Sequence, residues 1–166
     1  MRLFIIGYKN CGKTTIGKKV ANRLNLEFID LDEVIEKKEN KTIPELYSEI
    51  GDEKFRILEW KALKDVIKKD NIVVSTGGGA PCHCDNMNLM EEHGDVIYIH
   101  LDSDTLVSRL KRATKDRPIV LNKTDEELRE YVLNQRNNCE HHYARAKYTV
   151  EGKDLTVDRI LNALSI

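Results

Sequence analysis

The amino-acid sequence predicts an α/β fold in which helices cover both faces of a parallel sheet. Two observations lead to this prediction. Short apolar runs, bounded by polar turns, alternate with stretches of helical periodicity along the 166 residues. In addition, a glycine-containing octet at residues 7–14, GYKNCGKT, joins the first apolar run directly to the first helical stretch.

The apolar runs are the predicted strands, and they are nearly continuous in apolar character, as expected for strands buried on both faces. They occupy residues 3–6, 28–29, 72–74, 96–99 and 148–150. Two capping boxes predict helix starts, one at Thr42 with Glu45 and one at Thr124 with Glu127. Gly51 is expected to interrupt the first of these helices. The closing amphipathic helix carries Val157, Ile160, Leu161 and Leu164.

Length and composition indicate one soluble domain that spans residues 1–166. The hydrophobic fraction is 40%, the charged fraction is 33% and the net charge is -1. This balance argues against a nucleic-acid or membrane surface, and no apolar run approaches the roughly 18 residues of a spanning helix. The chain begins with a predicted strand, which leaves no room for a signal peptide, and its four cysteines form no disulfide framework. We therefore expect a cytoplasmic protein that binds neither nucleic acid nor membranes. We also expect a monomer, although no feature of the sequence determines the oligomeric state.

The octet matches the phosphate-binding loop pattern of a glycine, four residues and Gly-Lys-Thr. In such loops, backbone N–H groups surround polyphosphate oxygens, and the following helix adds its partial positive charge. Lys13 is expected to reach the outer phosphates, and the Thr14 hydroxyl is expected to bind Mg²⁺. Gly12 lets the backbone approach the phosphates closely because it has no Cβ atom. The octet therefore predicts a site for a nucleotide polyphosphate with Mg²⁺.

Two further features lie where predicted strands end, which is the edge at which parallel sheets bind ligands. Residues 28–32, FIDLD, end in the carboxylates Asp30 and Asp32, for which the alternative is a surface turn with a helix N-cap. Residues 73–79, VVSTGGG, run into three glycines that expose backbone N–H groups or form only a flexible turn. Both features place polar groups beside the predicted phosphate-binding loop.

Together with three arginines, these features resemble the shikimate kinase family over essentially the whole chain. In chain order, the resemblance rests on GKTT at 12–15, FIDLD at 28–32, GDEKFRILE at 51–59, STGGG at 75–79, Arg117-Pro118, and Arg136 with Tyr143. The stretch at 51–59, followed by the triple glycine, is more specific than the phosphate-binding loop alone. The resemblance implies a five-stranded parallel sheet of P-loop kinase type and a mobile lid at about residues 111–123. It also implies transfer of the ATP γ-phosphate to the 3-hydroxyl of shikimate.

The resemblance assigns roles on the nucleotide side of the expected site. The ATP would be held by Asn10, Cys11, Gly12, Lys13, Thr14 and Thr15 at its phosphates and by Arg109 or Arg112 at its adenine. Mg²⁺ would be bound by Thr14 and, through water, by Asp30. Lys13 would act on the transferring phosphoryl group, and Arg117 in the lid would stabilise charge on it, as arginine fingers do.

On the acceptor side, the resemblance implies that Asp32 binds the ring hydroxyls of shikimate and accepts the proton of the attacking hydroxyl. Arg56 and Arg136 would grip the substrate carboxylate, since a guanidinium fork matches a carboxylate bidentately. The substrate would also receive backbone donors from Gly78 and Gly79. Glu59, one helical turn after Arg56, would hold that arginine in place.

The chain departs from the family pattern at two places. Residues 9–11, Lys-Asn-Cys, stand where the family has small residues and glycine, and the stretch after Arg136 lacks the proline that the family often has there. Cysteines at 82, 84 and 139 and histidines at 141 and 142 suggest zinc, but their spacings match no standard zinc pattern.

Two other functions are also compatible with the sequence. One is a P-loop kinase for another hydroxy-carboxylic acid, because two arginines favour a carboxylate without naming its carrier. The other is a nucleotide-binding regulator without transferase activity, against which the intact Lys13, Asp32 and Arg117 argue.

Overall fold

A computed structural model of the chain describes residues 1–113 and 122–166, with the side chain of residue 113 outside the description. Five strands form one parallel sheet in the order β2-β3-β1-β4-β5. The strands are β1 (Arg2–Ile6), β2 (Glu27–Asp30), β3 (Ile72–Ser75), β4 (Asp95–His100) and β5 (Tyr148–Glu151). All four strand pairs are parallel, which confirms the fold class that the sequence predicts.

Helices connect the strands and flank the sheet. They are α1 (Lys13–Leu24), α2 (Leu31–Glu39), α3 (Ile43–Val66), α4 (Asn86–His93), α5 (Ser103–Ala113), α6 (Asp125–Tyr143) and α7 (Val157–Leu164). A short 3₁₀ helix, Ala80–Cys82, follows β3. No helix within the described ranges combines the length and the apolar character that crossing a bilayer requires.

The core lies on both sides of the central strand β1, whose side chains alternate between the two faces of the sheet. Leu3 and Ile5 belong to one buried cluster, together with Val20 of α1. Phe4 and Ile6 belong to a second buried cluster, on the opposite face. All four strand residues are fully buried. Helices therefore cover both faces of the sheet, as the continuous apolar runs predict.

The two predicted capping boxes are present, and each begins a helix. The Thr42 hydroxyl accepts a hydrogen bond from the Glu45 N–H at 3.3 Å, and the Thr42 N–H donates to the Glu45 carboxylate at 2.7 Å. Thr124 and Glu127 make the same pair of bonds at the start of α6. Gly51 interrupts α3 with φ 77° and ψ 174°, a conformation that is essentially restricted to glycine. The predicted interruption is thereby confirmed.

Candidate active site

The loop between β1 and α1 folds around its own lysine. Lys13 is buried, and its ammonium donates hydrogen bonds to the carbonyl oxygens of Gly7 and Tyr8, both at 2.9 Å. Gly7 is required sterically, because a Cβ atom there would lie 2.7 Å from the Ile99 carbonyl oxygen. The loop thus holds a positive charge beside the N-terminus of α1, where a phosphate group is favoured.

A cavity of about 510 Å³ lies beside this loop. It is lined by Asn10, Gly12, Lys13, Thr14, Thr15, Arg109 and Arg112. Of the residues predicted to bind the nucleotide, Cys11 is 1% exposed and does not line this cavity. Its sulfur instead lies 3.8 Å from the Lys13 ammonium. The structure therefore brings both arginine candidates and most of the predicted phosphate-binding residues to one cavity.

Asp30 caps the N-terminus of α2, which is the structural alternative that the sequence leaves open for it, and it also contacts the phosphate-binding loop. One of its carboxylate oxygens accepts a hydrogen bond from the Asp32 N–H at 3.1 Å, which caps α2. The other accepts from the Thr14 hydroxyl at 2.8 Å, and the Ser75 hydroxyl lies 3.4 Å from the same Thr14 oxygen. Carboxylate and hydroxyl oxygens are the ligand types that suit Mg²⁺. Among the described residues, no group of three or more His, Cys, Asp or Glu side chains could hold a metal ion.

A second, larger cavity of about 1020 Å³ adjoins the loop at Asn10, which lines both cavities. Four predicted substrate-binding residues line it, namely Asp32, Arg56, Gly78 and Gly79. Other lining residues come from the loop, α3, the 3₁₀ helix and α6, and they include Lys9, Tyr47, Glu59, His83, Gln135, Asn138, Cys139 and Tyr143. The two cavities therefore place a phosphate-binding loop next to a pocket that contains both a carboxylate and a guanidinium.

Arg56 is oriented by two carboxylates on its own helix. It donates to Glu59 at 3.0 Å and to Asp52 at 3.2 Å, in agreement with the role predicted for Glu59. Burial raises the pKa of Glu59 to about 7, and the Arg56 charge opposes this shift. The pKa of Asp32 is also raised, first by burial and then by the neighbouring Asp30 charge, whereas Lys13 opposes the rise. The pocket thus contains carboxyl groups that hold protons more strongly than exposed ones do.

The three glycines at residues 77–79 are needed because neighbouring atoms pack closely against them, not because the backbone adopts an unusual conformation there. A Cβ atom on Gly79 would lie 2.6 Å from a terminal nitrogen of Arg56, and one on Gly77 would lie 3.0 Å from the Glu59 carboxylate. On Gly78 it would lie 3.0 Å from the Lys9 backbone nitrogen. The glycines therefore leave room for the arginine and bring the loop after β3 close to the phosphate-binding loop.

The structure does not bring every predicted site residue to these cavities. The Arg136 guanidinium donates to the Leu101 carbonyl oxygen at 2.7 Å, and Arg136 does not line the larger cavity. Instead, α6 contributes Gln135, Asn138, Cys139 and Tyr143 to the lining. Arg117 and most of the predicted lid lie outside the described residues.

One feature of the site corrects the sequence-based expectation about the cysteines. Cys82 and Cys139 form a disulfide with a Cα–Cα distance of 5.4 Å, whereas Cys11 and Cys84 are free. The two bonded residues are 57 positions apart, and sequence spacing alone does not determine such a pairing. The sequence also gave no sign of the hydrogen bonds that Gln135 makes with Tyr8 at 2.9 Å and with Tyr131 at 2.7 Å, beside the larger cavity.

The parallel sheet, the phosphate-binding loop and the adjoining pocket define a P-loop small-molecule kinase. Residues 9–165 match the family model described as shikimate kinase. The chain belongs to the shikimate kinase family.

Curated relatives and solved structures agree with this assignment. The shikimate kinase of Phocaeicola vulgatus is 40% identical over 162 residues, which cover 98% of this chain and 93% of the relative. The crystal structure of the Bacteroides thetaiotaomicron shikimate kinase superposes with a TM-score of 0.93 at 38% identity, covering 100% of this chain and 99% of the other. The Acinetobacter baumannii enzyme in complex with shikimate superposes with a TM-score of 0.82 at 28% identity, covering 99% and 93%.

Proposed function

We propose that this protein transfers the γ-phosphate of ATP to the 3-hydroxyl of shikimate, a step of aromatic amino-acid biosynthesis. The observation that carries the proposal is the junction of two cavities at Asn10. One lies on a phosphate-binding loop, and the other holds Asp32 and Arg56. Family membership and the shikimate complex of the Acinetobacter relative support shikimate as the acceptor.

On the nucleotide side, we assign the phosphates to the loop residues that line the smaller cavity. The Lys13 ammonium would exchange its bonds to the Gly7 and Tyr8 carbonyls for bonds to phosphate oxygens, and its charge would stabilise the transferring phosphoryl group. Thr14 and Asp30 would hold Mg²⁺, directly and through water. Bound there, Mg²⁺ would neutralise charge on the β- and γ-phosphates.

On the acceptor side, Asp32 would bind the ring hydroxyls and accept the proton of the attacking hydroxyl. Its raised pKa favours this role, because a carboxylate that holds protons more strongly is a better base. Arg56, already oriented by Glu59 and Asp52, would grip the substrate carboxylate. Gly78 and Gly79 would donate their N–H groups to the substrate.

Two arginines with predicted roles are not found at the acceptor cavity: Arg136 contacts the Leu101 carbonyl, and Arg117 lies outside the described residues. Arg136 would have to leave the Leu101 carbonyl to reach the substrate, so its role in carboxylate binding stays a prediction. Arg117 and the lid at about residues 111–123 also stay predictions. We further propose that residues 1–166 form a single domain and that the protein is a monomer. We also propose that it is located in the cytoplasm, where ATP is abundant.

The activity is tested by measuring ADP release with a panel of acceptors. We expect ADP release with shikimate, little with gluconate or other hydroxy-carboxylic acids, and loss of activity in Lys13→Met with an unchanged circular dichroism spectrum. A higher kcat/KM with another acid than with shikimate would favour the alternative kinase. ATP binding without ADP release for any acceptor would instead favour a nucleotide-binding regulator.

A further inference from the structure

The disulfide between Cys82 and Cys139 lies in the wall of the proposed acceptor cavity, and both residues line that cavity. Cys82 ends the 3₁₀ helix that follows the triple glycine, and Cys139 belongs to the last turns of α6. The bond therefore joins two separate segments of the wall, each of which also contributes other lining residues.

A noncovalent contact runs beside this bond. Tyr143 lies one helical turn after Cys139, hence on the same side of α6, and its buried hydroxyl donates to the Gly78 carbonyl oxygen at 2.5 Å. The disulfide and this hydrogen bond together hold α6 against the segment that contains the substrate-binding glycines. The distance between these two segments of the cavity wall thus depends partly on a covalent bond that a reductant can break.

The two segments have other anchors, so the fold does not depend on the bond alone. In α6, Leu128, Val132 and Tyr143 are buried in the core. At the 3₁₀ helix, the buried Asn86 side chain donates to the Ala80 carbonyl oxygen at 2.9 Å. We therefore expect reduction to change the freedom of the wall without unfolding the protein.

The two bonded cysteines lie in the lining of a cavity that small thiols can enter. Both cysteines are only partly buried, and although they pack against the core cluster that contains Phe4 and Ile6, they also line the cavity. Accessible disulfides are the ones that exchange readily, and disulfides in a cytoplasmic protein are typically transient or redox-sensing. A cytoplasmic location, as proposed above, therefore favours a reversible bond over a permanent structural one.

We propose that Cys82 and Cys139 form a reversible thiol–disulfide site, with low-molecular-weight thiols and disulfides as its co-reactants, that controls the shape of the acceptor cavity. In the oxidising direction, one cysteine thiolate attacks the small disulfide, forming a mixed disulfide and releasing one thiol. The second cysteine then attacks the mixed disulfide, which forms the Cys82–Cys139 bond and releases a second thiol. Two cysteine protons are given up, and one small disulfide is reduced to two thiols. The effect on the acceptor rests on the proposed function, whereas the exchange chemistry does not.

The exchange is tested on the wild-type protein, without any substitution. The full chain is equilibrated in glutathione buffers from reducing to oxidising, alkylated with iodoacetamide, digested and analysed by mass spectrometry. We expect a linked peptide pair containing Cys82 and Cys139 in oxidising buffers and two alkylated peptides in reducing ones, with the same result from either direction. Failure of the linked pair to form, or to be reduced again by glutathione, would overturn the proposal.

The effect on the cavity is tested by kinetics in the two redox states. The oxidised wall is preorganised, so reduction should raise the KM for shikimate by about two- to tenfold, the range expected when roughly one interfacial side chain loses its order. Cys82→Ser and Cys139→Ser should show the higher KM in both buffers. Cys84→Ser, a control that removes an exposed free thiol, should keep the redox dependence.

Equal KM values for the oxidised and reduced wild type would overturn the link between the bond and the cavity. If neither state phosphorylated shikimate, the proposed function would fail, but the glutathione titration would still decide whether the thiol–disulfide site exists. The two proposals can therefore fail independently.

Discussion

Arg56 lines the acceptor cavity, and neighbouring side chains hold its positive charge in place there. Its side chain is 16% exposed, and its guanidinium is held by Glu59 and Asp52 and passes close to Gly79. A side chain that is already oriented loses little further conformational entropy when it binds a carboxylate, so more of the interaction energy contributes to affinity.

Removing the Arg56 side chain should therefore weaken shikimate binding. For Arg56→Ala we expect a loss on the order of 1.5–3 kcal/mol, the range for a charged hydrogen-bond partner, with little change in ATP affinity. Isothermal titration calorimetry measures both affinities. Arg129→Ala is a matched control, because Arg129 pairs with Asp104 at a largely exposed position. Unchanged shikimate affinity in Arg56→Ala would remove this residue from the site, and Arg136→Ala then becomes the decisive variant.

Glu59 gives the stability of the protein a defined pH dependence. Its pKa is raised by burial from 4.5 to about 7, so the folded state binds more protons than the unfolded state between these values. This contribution to the free energy of unfolding, on the order of 3 kcal/mol, is complete below about pH 4.5 and is lost as the pH rises through about 7.

Urea unfolding of the wild type and of Glu59→Gln at about pH 5 and about pH 7.5 measures this effect. We expect a shallower pH dependence in Glu59→Gln, while the raised pKa of Asp32 leaves a residual slope of the same sign. Glu53→Gln, which removes an exposed carboxylate from the same helix, should behave like the wild type. A full wild-type slope in Glu59→Gln would show that Glu59 does not titrate in this window.

At the scale of the elements, two glycines near the site are required for different physical reasons. Gly79 provides space for the Arg56 guanidinium, whereas Gly51 has open space around it and provides a backbone conformation with φ 77°. The neighbour of Gly79 is the far end of the Arg56 side chain, which can move aside if it gives up its hydrogen bonds to Glu59 and Asp52. At Gly51, any other residue would have to adopt an unfavourable backbone conformation. Movement of a side chain cannot relieve that strain.

Alanine substitutions should separate these two reasons. Gly79→Ala should lower shikimate affinity by displacing Arg56, and any loss in the free energy of unfolding should come only from the Arg56 hydrogen bonds to Glu59 and Asp52. Gly51→Ala should lower the free energy of unfolding by about 1–3 kcal/mol, the usual cost of such strain, with a smaller effect on affinity. Urea unfolding and calorimetry on both variants provide the test. The reverse pattern, or a loss of stability alone in Gly79→Ala, would contradict the steric account.

For the whole molecule, the features that the sequence predicts are those set by local pattern. The strands follow from short apolar runs, and the helix starts at Thr42 and Thr124 follow from side chains only three residues apart. The positions of Arg136 and of the Cys82–Cys139 bond depend on how α6 packs against distant segments. Local spacing does not contain that information. The resemblance assigned Arg136 to the substrate carboxylate, whereas in the structure its guanidinium donates to the Leu101 carbonyl oxygen.

The disulfide also affects the stability of the whole chain, because it limits the conformations of the unfolded state. A bond between residues 57 positions apart is worth about 4 kcal/mol by the chain-entropy account, with measured values of about 0–5 kcal/mol. Reduction should therefore lower the free energy of unfolding, and the midpoint of urea unfolding should move to lower urea concentration in the presence of a reductant.

Urea unfolding of the oxidised and reduced wild type, with Cys139→Ser and Cys84→Ser alongside, measures this contribution. Cys139→Ser should resemble the reduced wild type and show no response to reductant, whereas Cys84→Ser should respond as the wild type does. Because the bond acts mainly on the unfolded chain, the reduced protein should keep its native circular dichroism spectrum before unfolding begins. An oxidised protein, with the bond verified by mass spectrometry, that unfolds at the same urea concentration as the reduced one would show that the bond does not stabilise the fold. A role in shaping the acceptor cavity would then have to be judged from the KM for shikimate alone.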